Sequence, residues 1–348
     1  MMSMRAARWY DKKDIRVEDV EVPTPGKNEV KIKVDFCGIC GSDLHEYADG
    51  PIFIPGEEPH PVSGVKAPLT MGHEFAGEVV EVGEGVTSHK VGDKVTIEPI
   101  IAEGGLVGKY NLSPNVNFVG LAKDGGFAEY TVVDAEQAHI LPDGIDTEQG
   151  ALAEPAAVAL YAVRQSKLRA GDTAAVFGTG PIGLLVIESL KAAGATDIYA
   201  VELSEERRQR AKSLGAIPVN PEEVGDVVEF INEQTDGGVH VSFEVTGVPV
   251  VLEQALDAVQ NDGQCVVVSI WEEKAEFHPN QLVINEKSMI GTIGYRHTFP
   301  QVLRLMEQGY FKKEDYITSN ISVEDIVEKG FERLMDSKSE VKIMVSPN

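Results

Sequence analysis

The stretch Ala174-Ala175-Val176-Phe177-Gly178-Thr179-Gly180-Pro181-Ile182-Gly183 constrains this 348-residue chain more than any other. A lone Gly-x-Gly-x-x-Gly is a weak signal. Here it directly follows an apolar strand and opens a helix, with Pro181 and Ile182 in the opening turn. Gly178 permits the tight turn, Gly180 lets backbone approach a pyrophosphate, and Gly183 allows close packing of helix on strand. Glu202 ends the next strand, 19 residues after Gly183. That is where an acid binds the adenosine ribose hydroxyls, and a carboxylate there repels a 2′-phosphate, which favours NAD over NADP. The competing reading is an ordinary glycine turn, and the joint presence of strand, helix and acid argues against it. Arg207, one helical turn into the following element, either flanks the adenosine or belongs with Arg208 and Arg210 to a solvated helix face.

Around this loop, strands alternate with helices. Strands are expected at 173–177 and 197–201, with helices at 181–193 and 205–214. Further strands are expected at 239–244, 264–269 and 288–293. Such alternation means βαβ units and a parallel sheet. Thr246-Gly247, Val268-Ser269-Ile270 and Thr292-Ile293-Gly294 fall at strand ends. Ligands bind at such carboxyl ends, so these residues are assigned to the dinucleotide, although strand-end residues are also ordinary turn residues. The first 150 residues differ. Short β-branched runs at 30–34, 77–82, 94–97 and 127–133 are punctuated by Gly and Pro, and read as β structure. An irregular stretch at 49–70 holds five Pro and three Gly. An Ala-rich helix is expected at 156–165. Beyond residue 294 come helices at 299–308 and 323–335 and a closing strand at 341–345.

Composition narrows the function. The length suits roughly two domains of about 150 residues each. The net charge of −25, from 31 basic and 56 acidic residues, argues against a nucleic-acid binder, which needs a basic face, and disfavours an anionic membrane surface. No apolar run reaches the ~18 residues of a membrane span. The start Met1-Met2-Ser3-Met4-Arg5 lacks the apolar stretch of a signal peptide, so a cytoplasmic location is expected. Three cysteines, Cys37, Cys40 and Cys265, argue against a disulfide framework and exclude a four-cysteine zinc site within one chain. A zinc site with one Cys, completed by His and carboxylate, remains open.

Three short motifs bear on that site: Cys37-Gly38-Ile39-Cys40-Gly41-Ser42-Asp43-Leu44-His45, Gly72-His73-Glu74 and Ala153-Glu154-Pro155. No second Cys-x-x-Cys exists to make a zinc finger. Alone, His73 reads as a core histidine and Glu154 as a helix-start acid. With Gly92-Asp93-Lys94-Val95 and Gly125-Gly126-Phe127-Ala128-Glu129 they stand in a characteristic order. Over essentially its whole length the chain resembles the zinc-dependent medium-chain alcohol and polyol dehydrogenases. The loop from Glu46 to Pro55, with Glu58-Pro59-His60-Pro61, is similar to the (R,R)-2,3-butanediol dehydrogenase branch of that family. The resemblance implies an α/β plus β fold: a GroES-like catalytic β domain over 1–155, a Rossmann NAD-binding domain with a parallel sheet over 156–295, and a return to the catalytic domain over 296–348.

It also implies roles. Cys40, His73 and Glu154 are the expected zinc ligands, with water or substrate fourth. One thiolate and one carboxylate then balance Zn²⁺, and Cys37 is a small buried residue. Glu74 lies behind the metal and can exchange onto it. Ser42 hydrogen-bonds the substrate oxygen, and a relay through Ser42 and the cofactor ribose reaches His45, whose pKa suits proton release. Asp43 orients or packs beneath the site, or serves as a turn or cap aspartate. The lobe at 98–121, where many relatives hold a four-cysteine structural zinc, has no Cys; Glu103 and Ser113 stand at two of the expected positions. One zinc per chain is therefore expected. Gly294 replaces the Arg that sorbitol-type enzymes carry before the Tyr, which suits a smaller, less polar substrate. The implied activity is interconversion of 2,3-butanediol and acetoin with NAD. Threonine 3-dehydrogenase and sorbitol or polyol dehydrogenase are alternatives sharing the ligands, and a noncatalytic NAD-binding protein is the reading from another class. A homodimer or homotetramer is the family expectation.

Overall fold

The computed structural model describes residues 2–337 and 339–347. The chain divides into two compact units. One comprises residues up to Glu154 together with those from Phe299 onward, and the other runs from Pro155 to Thr298.

The first unit is built on β structure. Its larger sheet has the order Ala138–Ile140, Lys94–Ile97, Glu74–Val82, Glu29–Gly38, Lys342–Ser346, Ile317–Ser322, with Tyr130–Asp134 also paired to Glu29–Gly38. A second sheet joins Asp14–Glu21, Ser3–Asp11 and Leu69–Thr70. The pairing of Glu29–Gly38 with Glu74–Val82 is antiparallel and slips twice, between Lys31 and Ile32 and between Val34 and Phe36. Such bulges bend a strand and raise its twist. Val30, Ile32 and Val34 alternate inward, are fully buried, and meet Phe75, Val95 and Phe127 in one apolar core. Burying a side chain such as Phe75 stabilises the fold by about 1.5–3 kcal/mol. Phe331, from the C-terminal segment, packs edge-on to Phe127 with ring centroids 6.3 Å apart. The C-terminal return thus completes the core as well as the sheet.

The Cys-free lobe is held by a buried carboxylate. Glu98 accepts a 2.5 Å bond from the Tyr110 hydroxyl and lies 2.8 Å from His139 Nε2. Gln137 donates to the Ile100 carbonyl at 2.9 Å.

The second unit is a six-stranded, wholly parallel sheet. Its order is Ile217–Val219, Ile198–Val201, Ala174–Phe177, Val239–Glu244, Val259–Val267, Ser288–Gly291. Numbered along the chain that is 3-2-1-4-5-6, the doubly wound dinucleotide-binding order. The central strands carry the continuous apolar runs expected of strands covered on both faces: Ala174 to Phe177 are all fully buried. The helix Pro181–Ala192 follows, with Pro in its first turn, where the missing N–H costs nothing.

Candidate metal centre and dinucleotide loop

In the first unit, one grouping of metal-capable side chains occurs among the described residues. Single ligand atoms of Cys40, His73 and Glu74 all lie within 4.8 Å of one another. Local folding explains each position. The bulged strand Glu29–Gly38 ends just before Cys40, which caps the helix Gly41–Asp49. His73 and Glu74 lie where the chain enters the neighbouring strand, whose register sets Glu74 opposite Gly38. A β-carbon on Gly38 would come within 2.3 Å of the Glu74 carboxylate, so glycine is what makes room for that acid.

Three further side chains orient the cluster. Asp43 is fully buried; its Oδ2 accepts from the Cys40 N–H at 2.9 Å, and its Oδ1 lies 3.4 Å from His73 Nδ1. Asp43 lies in the first turn of the helix and closes a capping box with Cys40, so the cap reading describes it, and the same side chain faces His73. Neither Asp43 Oδ1 nor His73 Nδ1 has a hydrogen bond of good geometry. Ser42 Oγ lies 3.2 Å from the other ring nitrogen, Nε2. Burial works to lower the His73 pKa, but the Asp43 carboxylate and Cys40 outweigh it and hold the imidazole well above its usual value. The Cys37 thiol is pushed well up by burial, then by Asp43 and Glu74, which marks it as an inert core residue.

The third orienting group was not anticipated from sequence. Lys342 is 3% exposed, and its Nζ donates to both oxygens of Glu74, at 2.8 and 2.7 Å, and to the Ile39 carbonyl at 3.1 Å. Burial lowers its pKa, but the facing Glu74 overcomes this and raises it. A lone Lys inside the apolar run Val341-Lys342-Ile343-Met344-Val345 was the available signal. Glu154 is buried at the start of the helix Ala153–Gln165, near enough to act on the Lys342 charge, and stands outside the three-residue grouping. His45 lies on the exposed side of its helix.

The donor set suits zinc. A thiolate, an imidazole and a carboxylate converge in a mostly buried site, and Asp43 faces the ring nitrogen turned away from Ser42, the arrangement that fixes a ligating histidine.

In the second unit, the glycine loop follows strand Ala174–Phe177. Gly178 has φ of 93°, and a β-carbon on Gly183 would lie 1.9 Å from the Gly178 carbonyl oxygen. At Gly180, which caps this 12-residue helix, a β-carbon would meet nothing within 4 Å, so there is open space beside the cap. Glu202 leaves the end of strand Ile198–Val201 and reaches across to the loop: its carboxylate accepts from the Thr179 N–H at 2.9 Å and from the Ser204 N–H at 3.0 Å. Arg207 is half-buried, with its Nε lacking a partner. Arg208 instead turns inward to the carbonyls of Glu202 and Leu203. Thr246, Val268–Ile270 and Thr292–Gly294 all lie just past the carboxyl ends of successive parallel strands.

The matches to known proteins follow the same division. Residues 26–143 match the alcohol dehydrogenase GroES-like domain, and 181–308 match the zinc-binding dehydrogenase domain. The chain is 61% identical over 346 residues to (R,R)-butanediol dehydrogenase of Bacillus subtilis strain 168, covering 99% of this chain and 100% of that one. The crystal structure of 2R,3R-butanediol dehydrogenase from Bacillus subtilis superposes with a TM-score of 0.98 at 61% identity, covering 99% and 100% of the two chains. A zinc-binding dehydrogenase from Sinorhizobium meliloti 1021, solved bound to NADP, matches with a TM-score of 0.90 at 31% identity and full coverage of both chains. An Escherichia coli CFT073 alcohol dehydrogenase, solved with NADH, matches with a TM-score of 0.89 at 25% identity over 99% of each chain.

Proposed function

Because this chain belongs to the zinc-binding dehydrogenase family, we propose that it interconverts 2,3-butanediol and acetoin by hydride transfer to or from NAD. The observation that carries the reading is the convergence of Cys40, His73 and Glu74 with Ser42 beside them, in a chain 61% identical to a butanediol dehydrogenase.

Cys40 and His73 hold the zinc in this reading, and Glu154 or Glu74 supplies the carboxylate. Zinc, when bound, is a Lewis acid that polarises a carbonyl oxygen and lowers the pKa of an alcohol. Asp43 fixes the His73 ring, and Lys342 draws the Glu74 carboxylate to its own side of the site. Ser42 hydrogen-bonds the reacting oxygen and relays its proton by way of the cofactor ribose to His45, which lies on the exposed helix face and releases it to solvent. The glycine loop Gly178, Gly180, Pro181, Ile182 and Gly183 takes the pyrophosphate. Glu202 takes the adenosine ribose and selects NAD over its 2′-phosphorylated form, with Arg207 alongside. Thr246, Val268, Ser269, Ile270, Thr292, Ile293 and Gly294 face the rest of the dinucleotide. We place one zinc in each chain, because the Glu98–Tyr110–His139 network holds the lobe where relatives carry a second. A cytoplasmic homodimer or homotetramer completes the proposal. No helix among the described residues is long and apolar enough to cross a membrane.

A substrate panel tests this. Butanediol stereoisomers, sorbitol and threonine, each offered with NAD and with NADP to the zinc-loaded enzyme, should give kcat/KM highest for an (R)-configured butanediol with NAD. Faster turnover of threonine or sorbitol would make the chain one of those dehydrogenases instead.

A further inference from the structure

Glu244 is a fully buried carboxylate that the reading above does not use. It ends the strand Val239–Glu244, which lies directly beside the strand feeding the glycine loop. Its side chain accepts four hydrogen bonds: from the Thr246 N–H at 2.6 Å, the Thr246 hydroxyl at 2.5 Å, the Gly247 N–H at 3.0 Å and the Ser269 hydroxyl. Among the described residues no lysine or arginine pairs with it. Its four donors come from two loops, and a third is locked to them. A β-carbon on Gly178 would lie 2.5 Å from the Thr246 methyl, so Thr246 packs against the glycine turn itself. Gly247 in turn approaches the Ile270 carbonyl so closely that a β-carbon there would stand 2.9 Å from it.

One carboxylate therefore sets the relative positions of three segments at the carboxyl edge of the sheet. Folds of this order bind a dinucleotide across two mononucleotide halves. Glu202 and the glycine loop belong to the first half. Glu244 ends the first strand of the second half, which takes the nicotinamide mononucleotide. The nicotinamide ring is cationic when oxidised and neutral when reduced. A buried anion that carries no counter-cation and is shielded from water acts on that difference.

We propose that Glu244 is a positioning residue of the nicotinamide half-site, and that its buried negative charge favours the oxidised cofactor over the reduced one. The proposal rests on the nicotinamide reading above. Direct binding to the zinc-loaded enzyme tests it, using calorimetry for NAD⁺ and ADP-ribose and fluorescence for NADH. Glu244→Gln keeps the shape and removes the charge. It should weaken NAD⁺ about tenfold, and NADH and ADP-ribose about threefold or less. Equal weakening of all three ligands would reduce Glu244 to loop support and overturn the charge role; no weakening of any would overturn both roles. Glu244→Asp is the second variant: it keeps the charge and shortens the reach, so it should weaken all three ligands alike. An NAD⁺-to-NADH affinity ratio that moved as far in Glu244→Asp as in Glu244→Gln would also overturn the charge role. Wild-type protein that bound neither form would instead refute the nicotinamide reading itself.

Discussion

The two units bury a carboxylate in opposite ways. Glu74 in the first unit is neutralised by a single partner, Lys342, which grips both its oxygens. Glu244 in the second meets no cation among the described residues and spreads its charge over four donors from neighbouring loops. The first arrangement concentrates the stabilisation in one contact between distant parts of the chain. The second distributes it over short, local bonds. A paired charge fails abruptly when its partner goes, because the remaining ion stays buried and uncompensated. A charge held by several dipoles loses one bond at a time.

The contrast can be broken at its strongest point. Lys342→Met leaves Glu74 buried without a counterion and should cost about 3–5 kcal/mol of stability in metal-free protein. Adding Glu74→Leu to it should restore most of that loss. Urea unfolding of the two variants measures both, and a single variant costing under about 1 kcal/mol would erase the distinction. At Glu244 the matching change is Ser269→Ala, which removes one donor of four. A loss of about 1.5 kcal/mol is expected, since the other three bonds remain; a loss as large as that of Lys342→Met would show that this carboxylate, too, depends on one contact.

The smallest effect concerns acid. Burial pushes the Glu29, Asp146 and Glu340 carboxyls of the first unit up, but hydrogen bonds and nearby cations outweigh it and leave all three below their ordinary values. Lys123 assists Glu29, Lys313 assists Asp146, and Thr318 and Arg333 assist Glu340. Groups depressed in the folded state contribute stability above their ordinary pKa and lose it as pH falls through the folded one. In the second unit the depressed carboxyls Glu205 and Glu206 sit on an exposed helix face, where solvent screens them. Below pH 4.5, the ordinary glutamate value, amide protection corrected for intrinsic rate should fall a few-fold faster over 2–154 than over 155–298. Hydrogen exchange read by mass spectrometry resolves the two.

How much of this was legible in the sequence follows the same line between local and distant. The strands Lys94–Ile97 and Val239–Glu244 have the expected bounds, and the helix Pro181–Ala192 ends one residue early. Each is specified by its own residues and by adjacent Gly or Pro. The hairpin Ser3–Asp11 and Asp14–Glu21 was not anticipated, because charged residues interrupt its alternation and its inner face is covered by distant segments. The strand expected at 264–269 runs instead from Val259 to Val267. Gln260-Asn261-Asp262-Gly263 reads as a turn, and Asp262 does take φ of 59°, but strand pairing resumes on both sides of it. The helix expected at 323–335 breaks into a 3₁₀ turn, a π-helical stretch over Ile326–Glu332 and a short α-helix. At the site, Cys40 and His73 stood out by motif. Lys342 did not, because its partner lies 268 residues away and a charge in an apolar strand names no partner. Glu244 ends an apolar strand much as Glu202 follows one, and both accept from loop N–H groups; which loop donors each carboxylate meets is set by the packing of the strand ends, which sequence does not order.

The position of strand Lys342–Ser346 has a consequence for synthesis. It pairs with Glu29–Gly38 and adjoins Ile317–Ser322 in one sheet, while every strand of the parallel sheet lies between residues 174 and 291. A ribosome therefore delivers all of the second unit before the first has its last two strands. Until residue 342 emerges, Glu74 has no ammonium to meet, and the cluster of Cys40, His73 and Glu74 waits in a half-built sheet. The unit translated first is the one that finishes last, and a nascent chain can carry a complete parallel sheet well before it carries a finished Cys40–His73–Glu74 cluster.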